Sequence, residues 1–185
     1  FNQYLEEKTS IKMERLFKLR CAEIDEIIKQ YDVKSIIEMG TGRTTFFFNL
    51  YSGIKITSYE QDAEWKALIE NFYNNEGLRA PDIQIENVVK YKNGGKFEKI
   101  NESECDLLYI DGPYVPNKGR HETFTGKAAY YDWETISTIH KPKIIMIEGR
   151  TDTADAILDS DIMADYNFKG ELTWALQRNK LLHQP

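Results

Sequence analysis

Two glycines and two carboxylates stand where the chain could bind a nucleoside. In the stretch SIIEMGTGRTT, Gly40 and Gly42 are one residue apart and directly follow an apolar run. Glycine has no Cβ atom, so the backbone N–H groups beside it can approach a ligand closely. Glu38 precedes the first glycine, and Glu60 ends the next apolar run, KITSYE. A carboxylate in the second of these positions can accept hydrogen bonds from the hydroxyls of a ribose.

Three interpretations of this glycine turn remain open on the residues alone. A dinucleotide site has the pattern G-x-G-x-x-G, but Thr45 stands where the third glycine would be. S-adenosylmethionine has no pyrophosphate and carries a cationic amino group and a sulfonium, for which Glu38 would be a nearby partner. In the third interpretation the turn is structural, and Glu38 and Glu60 are only solvated.

Short apolar runs alternate with helical segments from Lys34 onward. The strand-like runs are KSIIEM, KITSYE, DIQIENVV, CDLLYID and PKIIMIE, and the helical segments are TTFFFNLYS, DAEWKALIENFYNN, AAYYDWETISTI and TDTADAILDSD. The link KNGGKFEKINES is expected to hold at most a short helix. This order predicts right-handed crossovers and a doubly wound α/β fold, with a mostly parallel sheet covered by helices on both faces. Such sheets bind ligands at the carboxyl ends of their strands, where the glycine turn lies.

The two ends of the chain add a helix and a strand pair. Apolar residues recur every three to four positions between Met13 and Tyr31, which predicts an amphipathic helix of about 20 residues. We therefore expect an N-terminal helical segment, residues 1–33, followed by one structural unit, residues 34–185. The runs MADYNFKG and LTWALQR, joined by Lys169-Gly170-Glu171, predict a C-terminal antiparallel hairpin.

Composition limits the classes of function. The net charge of −6 argues against a non-specific nucleic-acid binder, so the sequence gives no strong nucleic-acid signal. Cys21 and Cys105 are far apart and form no metal-binding motif. No apolar run reaches the roughly 18 residues of a membrane span, so we expect no membrane partner and a cytoplasmic location. The oligomeric state does not follow from the sequence.

Three motifs together resemble those of class I, Rossmann-like, S-adenosylmethionine-dependent methyltransferases. They are IIEMGTGRTT, ITSYEQDAEW and CDLLYIDGP, in that order and spacing. Within that family the chain looks most similar to small-molecule and sugar O-methyltransferases, such as glucuronoxylan methyltransferase-like proteins. The resemblance implies S-adenosylmethionine as the cofactor and O-methylation of a small-molecule or saccharide-like acceptor.

The resemblance also implies roles for particular residues. Glu38, Gly40, Thr41 and Gly42 would line the methionine part of the cofactor, Glu60 would bind the ribose hydroxyls, Gln61 would lie beside the adenine, and Asp111 would face the methyl group and the acceptor.

The loop after CDLLYID is the expected acceptor side. A hydroxyl acceptor is a poor acid, so its proton must be removed by a base or its pKa lowered by a metal. Asp111 and His121 are the candidate catalytic bases, and His121 has the ordinary pKa closer to neutrality. Asp111 and Glu148 could together bind a divalent cation. Related metal-dependent enzymes have an asparagine where Gly149 stands, however, so we expect no metal.

Three further residues are candidates for binding the substrate. Arg120 and Arg150 could hold a carboxylate or phosphate, since guanidinium groups suit planar anions. Tyr114, on the same loop as Arg120, is the third. Two other functions stay open: a nicotinamide-dependent oxidoreductase and a non-catalytic cofactor-binding protein.

Overall fold

Seven strands form one mixed sheet in a computed structural model that describes residues 11–100, 104–112, 129–171 and 180–183. The strands are β1 (Ser35–Met39), β2 (Lys55–Glu60), β3 (Ile83–Ile85), β6 (Leu107–Ile110), β7 (Ile144–Ile147), β8 (Asn167–Glu171) and β9 (Lys180–His183), and β4 and β5 form a separate hairpin described below. The spatial order of the seven strands is β3-β2-β1-β6-β7-β9-β8. The first five are parallel, and β9 runs antiparallel to both β7 and β8. This confirms the predicted doubly wound fold with its antiparallel C-terminal pair.

Helices cover the sheet, since β1, β6 and β7 are buried along their whole length. A strand buried on both faces is predominantly apolar, and this explains the near-continuous apolar runs in the sequence. The helices are α1 (Ile11–Gln30), α2 (Arg43–Phe48), α3 (Ala63–Asn75), α4 (Asp132–His140) and α5 (Thr151–Leu158). The spatial order of the strands reverses between β1 and β6, and the glycine turn follows β1 there.

Helix α1 packs on one face of the sheet. Ile24, Ile27 and Ile28 are buried in a cluster with Leu107 of β6 and Met146 of β7. The three isoleucines recur at intervals of three and one residues, as expected for one face of a helix. The preceding turn of α1, which includes Arg20, therefore lies near the carboxyl ends of β6 and β7. The proposed division of the chain at residue 33 stays a prediction.

A two-stranded hairpin replaces the loop predicted after the third strand. The single predicted strand DIQIENVV is in fact β3 followed by β4 (Val88–Tyr91), and β4 pairs antiparallel with β5 (Gly94–Phe97). The link was expected to hold at most a short helix, and the strand β5 within it was not predicted. Lys92 adopts the left-handed φ of 51°, which a two-residue hairpin turn requires. The two turn residues are Lys92 and Asn93, and β5 begins with Gly94 and Gly95, residues that are depleted in strands, so the sequence did not indicate this hairpin.

The C-terminal pair differs from its prediction in position. The predicted strand MADYNFKG begins only at Asn167, because residues Asp161–Ala164 form a 3-10 turn. The predicted turn Lys169-Gly170-Glu171 lies inside β8, so that assignment was wrong. The predicted second strand LTWALQR lies outside the described residues. The predicted helix AAYYDWETISTI begins later, at Asp132. Within the described part of the chain, no helix combines the length and apolarity needed to cross a bilayer.

Candidate functional site

The glycine turn meets the end of β6 through backbone alone. Gly40 has a φ of +82°, a backbone conformation that residues other than glycine rarely adopt. A Cβ atom on Gly40 would lie 2.7 Å from the Cα and N atoms of Gly112. Gly42 differs, because its φ of −176° suits any residue and its Cβ would meet nothing within 4 Å. The fold therefore requires glycine at position 40, whereas the space beside Gly42 is left open.

The Glu38 carboxylate lies beneath this turn and is fully buried. It accepts hydrogen bonds from the hydroxyls of Thr44 at 2.8 Å, Thr45 at 2.9 Å and Ser58 at 2.6 Å. Burial raises its pKa to about 7, and the three hydroxyls act in the opposite direction. Thr45, at the third-glycine position, also accepts a hydrogen bond from the Gly42 N–H at 2.9 Å. Glu38 thus joins β1, the start of α2 and β2, and it supports the turn from below.

The Glu60 carboxylate lies at the end of β2 and organises the other side of the turn. One oxygen accepts hydrogen bonds from the Thr41 N–H at 3.0 Å and the Thr41 hydroxyl at 2.7 Å. The other accepts the backbone N–H groups of Gln61 at 2.8 Å and Asp62 at 3.0 Å. The side-chain oxygen of Gln61 is buried and has no hydrogen-bond partner among the described residues. A ligand that donates a hydrogen bond there would satisfy it.

A cavity of about 300 Å³ opens between these groups. It is lined by Gly40, Thr41, Glu60, Gln61, Asp62, Trp65, Asp111 and Gly112. The Trp65 indole N–H donates to the Thr41 carbonyl at 3.1 Å, which fixes the ring as one wall. Five of the predicted cofactor residues therefore line one cavity. Glu38 lies beneath it, and Gly42 follows on the same turn.

Asp111 contributes the only carboxylate on the β6 side of this cavity lining. Its side chain is 40% exposed but sits in a recess of the protein. Burial raises its pKa to about 6, against the lowering influence of Arg150 and Arg20, and Glu60 raises it further. A carboxyl group with this pKa is largely ionised at neutral pH yet is a better base than an ordinary aspartate.

Arg150 holds the Asp111 segment in place. Its Nε donates to the Asp111 carbonyl at 2.9 Å, and its guanidinium lies 3.6 Å from the Asp111 carboxylate. The guanidinium also lies 4.9 Å from the centre of the Tyr130 ring and donates to the Tyr130 hydroxyl at 3.3 Å. Arg150, which was predicted to bind the substrate, thus binds Asp111 and Tyr130 of the protein.

Arg20 of α1 reaches the same end of the sheet and was not anticipated from the sequence. It forms an ion pair with Glu148, which follows β7. The two side chains are only 18% and 11% exposed. Burial lowers the pKa of Arg20 and raises that of Glu148, and the positive charge of Arg150 acts against the rise at Glu148. The helical periodicity of α1 placed Arg20 beside the buried face, but nothing local indicated which residue it would meet.

Three predicted residues lie outside the described part of the chain. They are the candidate base His121 and the candidate substrate-binding residues Arg120 and Tyr114. Their roles stay predictions. Among the described residues, no group of three or more histidine, cysteine, aspartate or glutamate side chains is arranged to hold a metal ion.

The fold of this chain is similar to that of solved structures. The chain superimposes on a protein from Clostridium thermocellum described as a "putative rRNA-methylase", with a TM-score of 0.56 and 10% sequence identity, over 89% of this chain and 96% of that one. This chain has the Rossmann-like methyltransferase fold. A dimethyladenosine transferase from Plasmodium falciparum matches at a TM-score of 0.47 and 11% identity, over 87% of this chain and 59% of that one, a similarity too low to support an inference. No protein-family model matches the sequence, and no curated protein matches it either.

The comparison corrects one prediction. We expected a small-molecule or saccharide-like acceptor and no strong nucleic-acid signal, on the basis of net charge and the motif resemblance. The Clostridium thermocellum protein, which matches this fold over 96% of its own length, is described as an rRNA-methylase, and this contradicts that expectation. Net charge is a property of the whole chain and does not report a local binding surface. The comparison supports the methyltransferase fold, but it does not support the predicted similarity to sugar O-methyltransferases in particular.

Proposed function

We propose that this protein is an S-adenosylmethionine-dependent methyltransferase whose acceptor is RNA. The proposal that S-adenosylmethionine is the cofactor rests mainly on the backbone contact of Gly40 with Gly112, beside the Glu60 carboxylate. It forms a narrow cleft at the point where the strand order reverses, the usual ligand site of such sheets. A Cβ atom at position 40 would collide with the Gly112 backbone and displace the loops that line that cleft.

The residues around the cleft fit the proposed cofactor. Glu60 would accept hydrogen bonds from the ribose hydroxyls, in exchange for some of its present backbone donors. Gln61, with its unsatisfied oxygen, would face the adenine. Glu38 would act indirectly, because its carboxylate is fully buried and bonded to three hydroxyls. When bound, S-adenosylmethionine supplies an electrophilic methyl group.

Asp111 is the proposed base on the acceptor side. Its carboxylate faces the cavity and is partly exposed, so an acceptor can reach it. Its pKa of about 6 makes it a stronger proton acceptor than an ordinary aspartate while leaving it ionised near neutral pH. Arg150 anchors the adjacent carbonyl and therefore keeps the carboxylate in a fixed position. Asp111→Asn should lower turnover far more than cofactor affinity.

Two observations support RNA as the acceptor. One is the description of the Clostridium protein that shares the fold. The other is the β4–β5 hairpin, where Lys96 lies 4.3 Å from the centre of the Tyr91 ring and Lys92, which also pairs with Glu134, lies 5.3 Å from it. Lysines interleaved with aromatic rings are typical of surfaces that bind single-stranded nucleic acid. The hairpin lies next to the segment that contacts Arg150, because the Gly95 N–H donates to the Ala129 carbonyl at 3.1 Å and the adjacent Tyr130 hydroxyl accepts a hydrogen bond from Arg150.

Calorimetric titration with S-adenosylhomocysteine and with NAD tests the cofactor half of the proposal. We expect binding of the first and none of the second. The matched variants are Glu60→Gln, which should weaken binding, and Glu64→Gln on the exposed side of α3, which should not. Binding of NAD alone would favour an oxidoreductase. Cofactor binding without transfer of a tritiated methyl group to rRNA transcripts would contradict RNA as the acceptor.

A further inference from the structure

The ion pair between Arg20 and Glu148 contains two unsatisfied polar atoms. Arg20 Nε and Glu148 Oε2 are each buried and have no hydrogen-bond partner among the described residues. Glu148 as a whole is 9% exposed. A buried polar atom without a partner costs free energy, and in native proteins it calls for a specific explanation. Here a donor and an acceptor are unsatisfied in the same pair.

The pair belongs to the acceptor side of the site. Glu148 directly follows β7, its backbone N–H donates to the Ile110 carbonyl at 2.9 Å, and Ile110 precedes Asp111. Asp111 is near enough to the Arg20 guanidinium for their charges to interact. Three elements, α1, β6 and β7, therefore bring Arg20, Asp111 and Glu148 together at one edge of the sheet.

We propose that Arg20 and Glu148 recognise the hydrogen-bonding edge of the acceptor nucleobase, with Arg20 as the donor and Glu148 as the acceptor. The inference rests on the proposed function with RNA as the substrate. The Watson–Crick edge of a nucleobase presents a donor and an acceptor on neighbouring atoms, and Glu148 Oε2 and Arg20 Nε are an acceptor and a donor without partners among the described residues. Enzymes that modify a base read its edge in this way once it has left the stack. An aliphatic alcohol or a sugar has hydroxyl groups on tetrahedral carbons and presents no such planar edge.

A purely structural role of the Arg20–Glu148 pair predicts a different effect of substitution. If it only tied α1 to the sheet, an apolar pair of similar size would serve as well or better, since buried ion pairs are often replaced without loss of stability. The double substitution Arg20→Met with Glu148→Leu therefore separates the two roles. Arg20→Lys is the conservative variant, because it keeps the positive charge for Glu148 but lacks the Nε donor.

The experiment measures three properties of the full chain. Fluorescence anisotropy gives the affinity for a labelled single-stranded oligoribonucleotide containing all four bases, in the presence of S-adenosylhomocysteine. Tritium transfer gives kcat and KM with an rRNA transcript, and urea unfolding gives stability. The matched control is Lys29→Met, which removes an exposed ion pair with Asp25 on the same helix.

Recognition of a base edge predicts a loss of at least tenfold in RNA affinity or in kcat/KM for both Arg20→Lys and the double variant. Stability and affinity for S-adenosylhomocysteine should stay unchanged, and Lys29→Met should behave as the wild type. If the double variant only loses stability while RNA affinity and kcat/KM are kept, the inference is overturned. It is also overturned if the wild type binds S-adenosylhomocysteine but neither binds nor methylates RNA. Failure to bind S-adenosylhomocysteine refutes the proposed function instead.

Discussion

Replacing Gly40 by alanine tests the backbone contact on which the candidate site depends. Two separate penalties are expected from the structure. The φ of +82° is strained for any residue with a Cβ atom, and the new Cβ would lie 2.7 Å from backbone atoms of Gly112. An ordinary contact needs at least 3.4 Å, so one of the two loops must move by about 0.7 Å. Backbone cannot yield as a flexible side chain would.

The size of each penalty can be worked out separately. The left-handed conformation costs about 1–2 kcal/mol for a residue other than glycine. Insertion of a methyl group into a packed region costs about 1–3 kcal/mol. Gly40→Ala should therefore destabilise the protein by about 2–5 kcal/mol. Gly53→Ala is the matched control, because its φ is +88° and its Cβ would meet nothing within 4 Å. It should cost only about 1–2 kcal/mol.

Urea unfolding followed by tryptophan fluorescence measures both variants, and calorimetry measures their affinity for S-adenosylhomocysteine. Gly40→Ala should lower that affinity at least tenfold, since the displaced loops line the cavity, whereas Gly53→Ala should leave it unchanged. Gly112→Ala adds the collision without a positive φ, as its Cβ would lie 2.6 Å from the Gly40 Cα. Equal destabilisation by Gly40→Ala and Gly53→Ala would refute the reasoning, because the contact would then contribute nothing.

Three further substitutions probe the carboxylates of the site. Glu60→Gln should weaken binding of S-adenosylhomocysteine by about 10-fold or more, because a hydrogen bond to a charged group contributes about 1.5–3 kcal/mol. The pKa of Glu38 is raised from 4.5 to about 7, so the folded protein holds that proton more tightly than the unfolded chain does. Its contribution to stability is full below pH 4.5 and is lost as the pH rises through about 7. Compared with Glu38→Gln, the wild type should therefore lose about 3 kcal/mol of unfolding free energy over this interval, in urea titrations at several pH values. Arg150→Met should raise the pKa of Asp111 above about 6, because a nearby positive charge is removed, as measured by carbon NMR titration.

Each of these expectations has an outcome that contradicts it. Unchanged affinity in Glu60→Gln would remove Glu60 from the cofactor site. Parallel pH profiles for the wild type and Glu38→Gln would show that Glu38 keeps an ordinary pKa despite its burial. A pKa of Asp111 that stays constant in Arg150→Met would show that the guanidinium acts on the backbone carbonyl alone.

The local pattern of the chain was sufficient to predict much of the fold. Alternation of strand-like and helical runs gave the parallel sheet, because apolar runs such as IIMI can be buried only between two layers of helices. The glycine turn and the two carboxylates near the strand ends, Glu38 and Glu60, could also be predicted, because they lie at fixed positions relative to strands that the sequence indicates clearly. The hairpin of β4 and β5 was missed because β5 begins with two glycines, which do not indicate a strand.

Contacts between residues distant in the sequence were decided only by the tertiary structure. The approach of Gly40 to Gly112 spans 72 positions, and nothing near either residue specifies the other. The burial of Glu38 depends on Ser58, and the pairing of Arg20 with Glu148 depends on how α1 packs across the sheet. The sequence by itself determined which residue types stand at the strand ends, since that follows from local periodicity. Whether a carboxylate there is buried beneath the turn, lines the cavity or pairs with an arginine is set by packing between elements, because burial and partners depend on the whole chain.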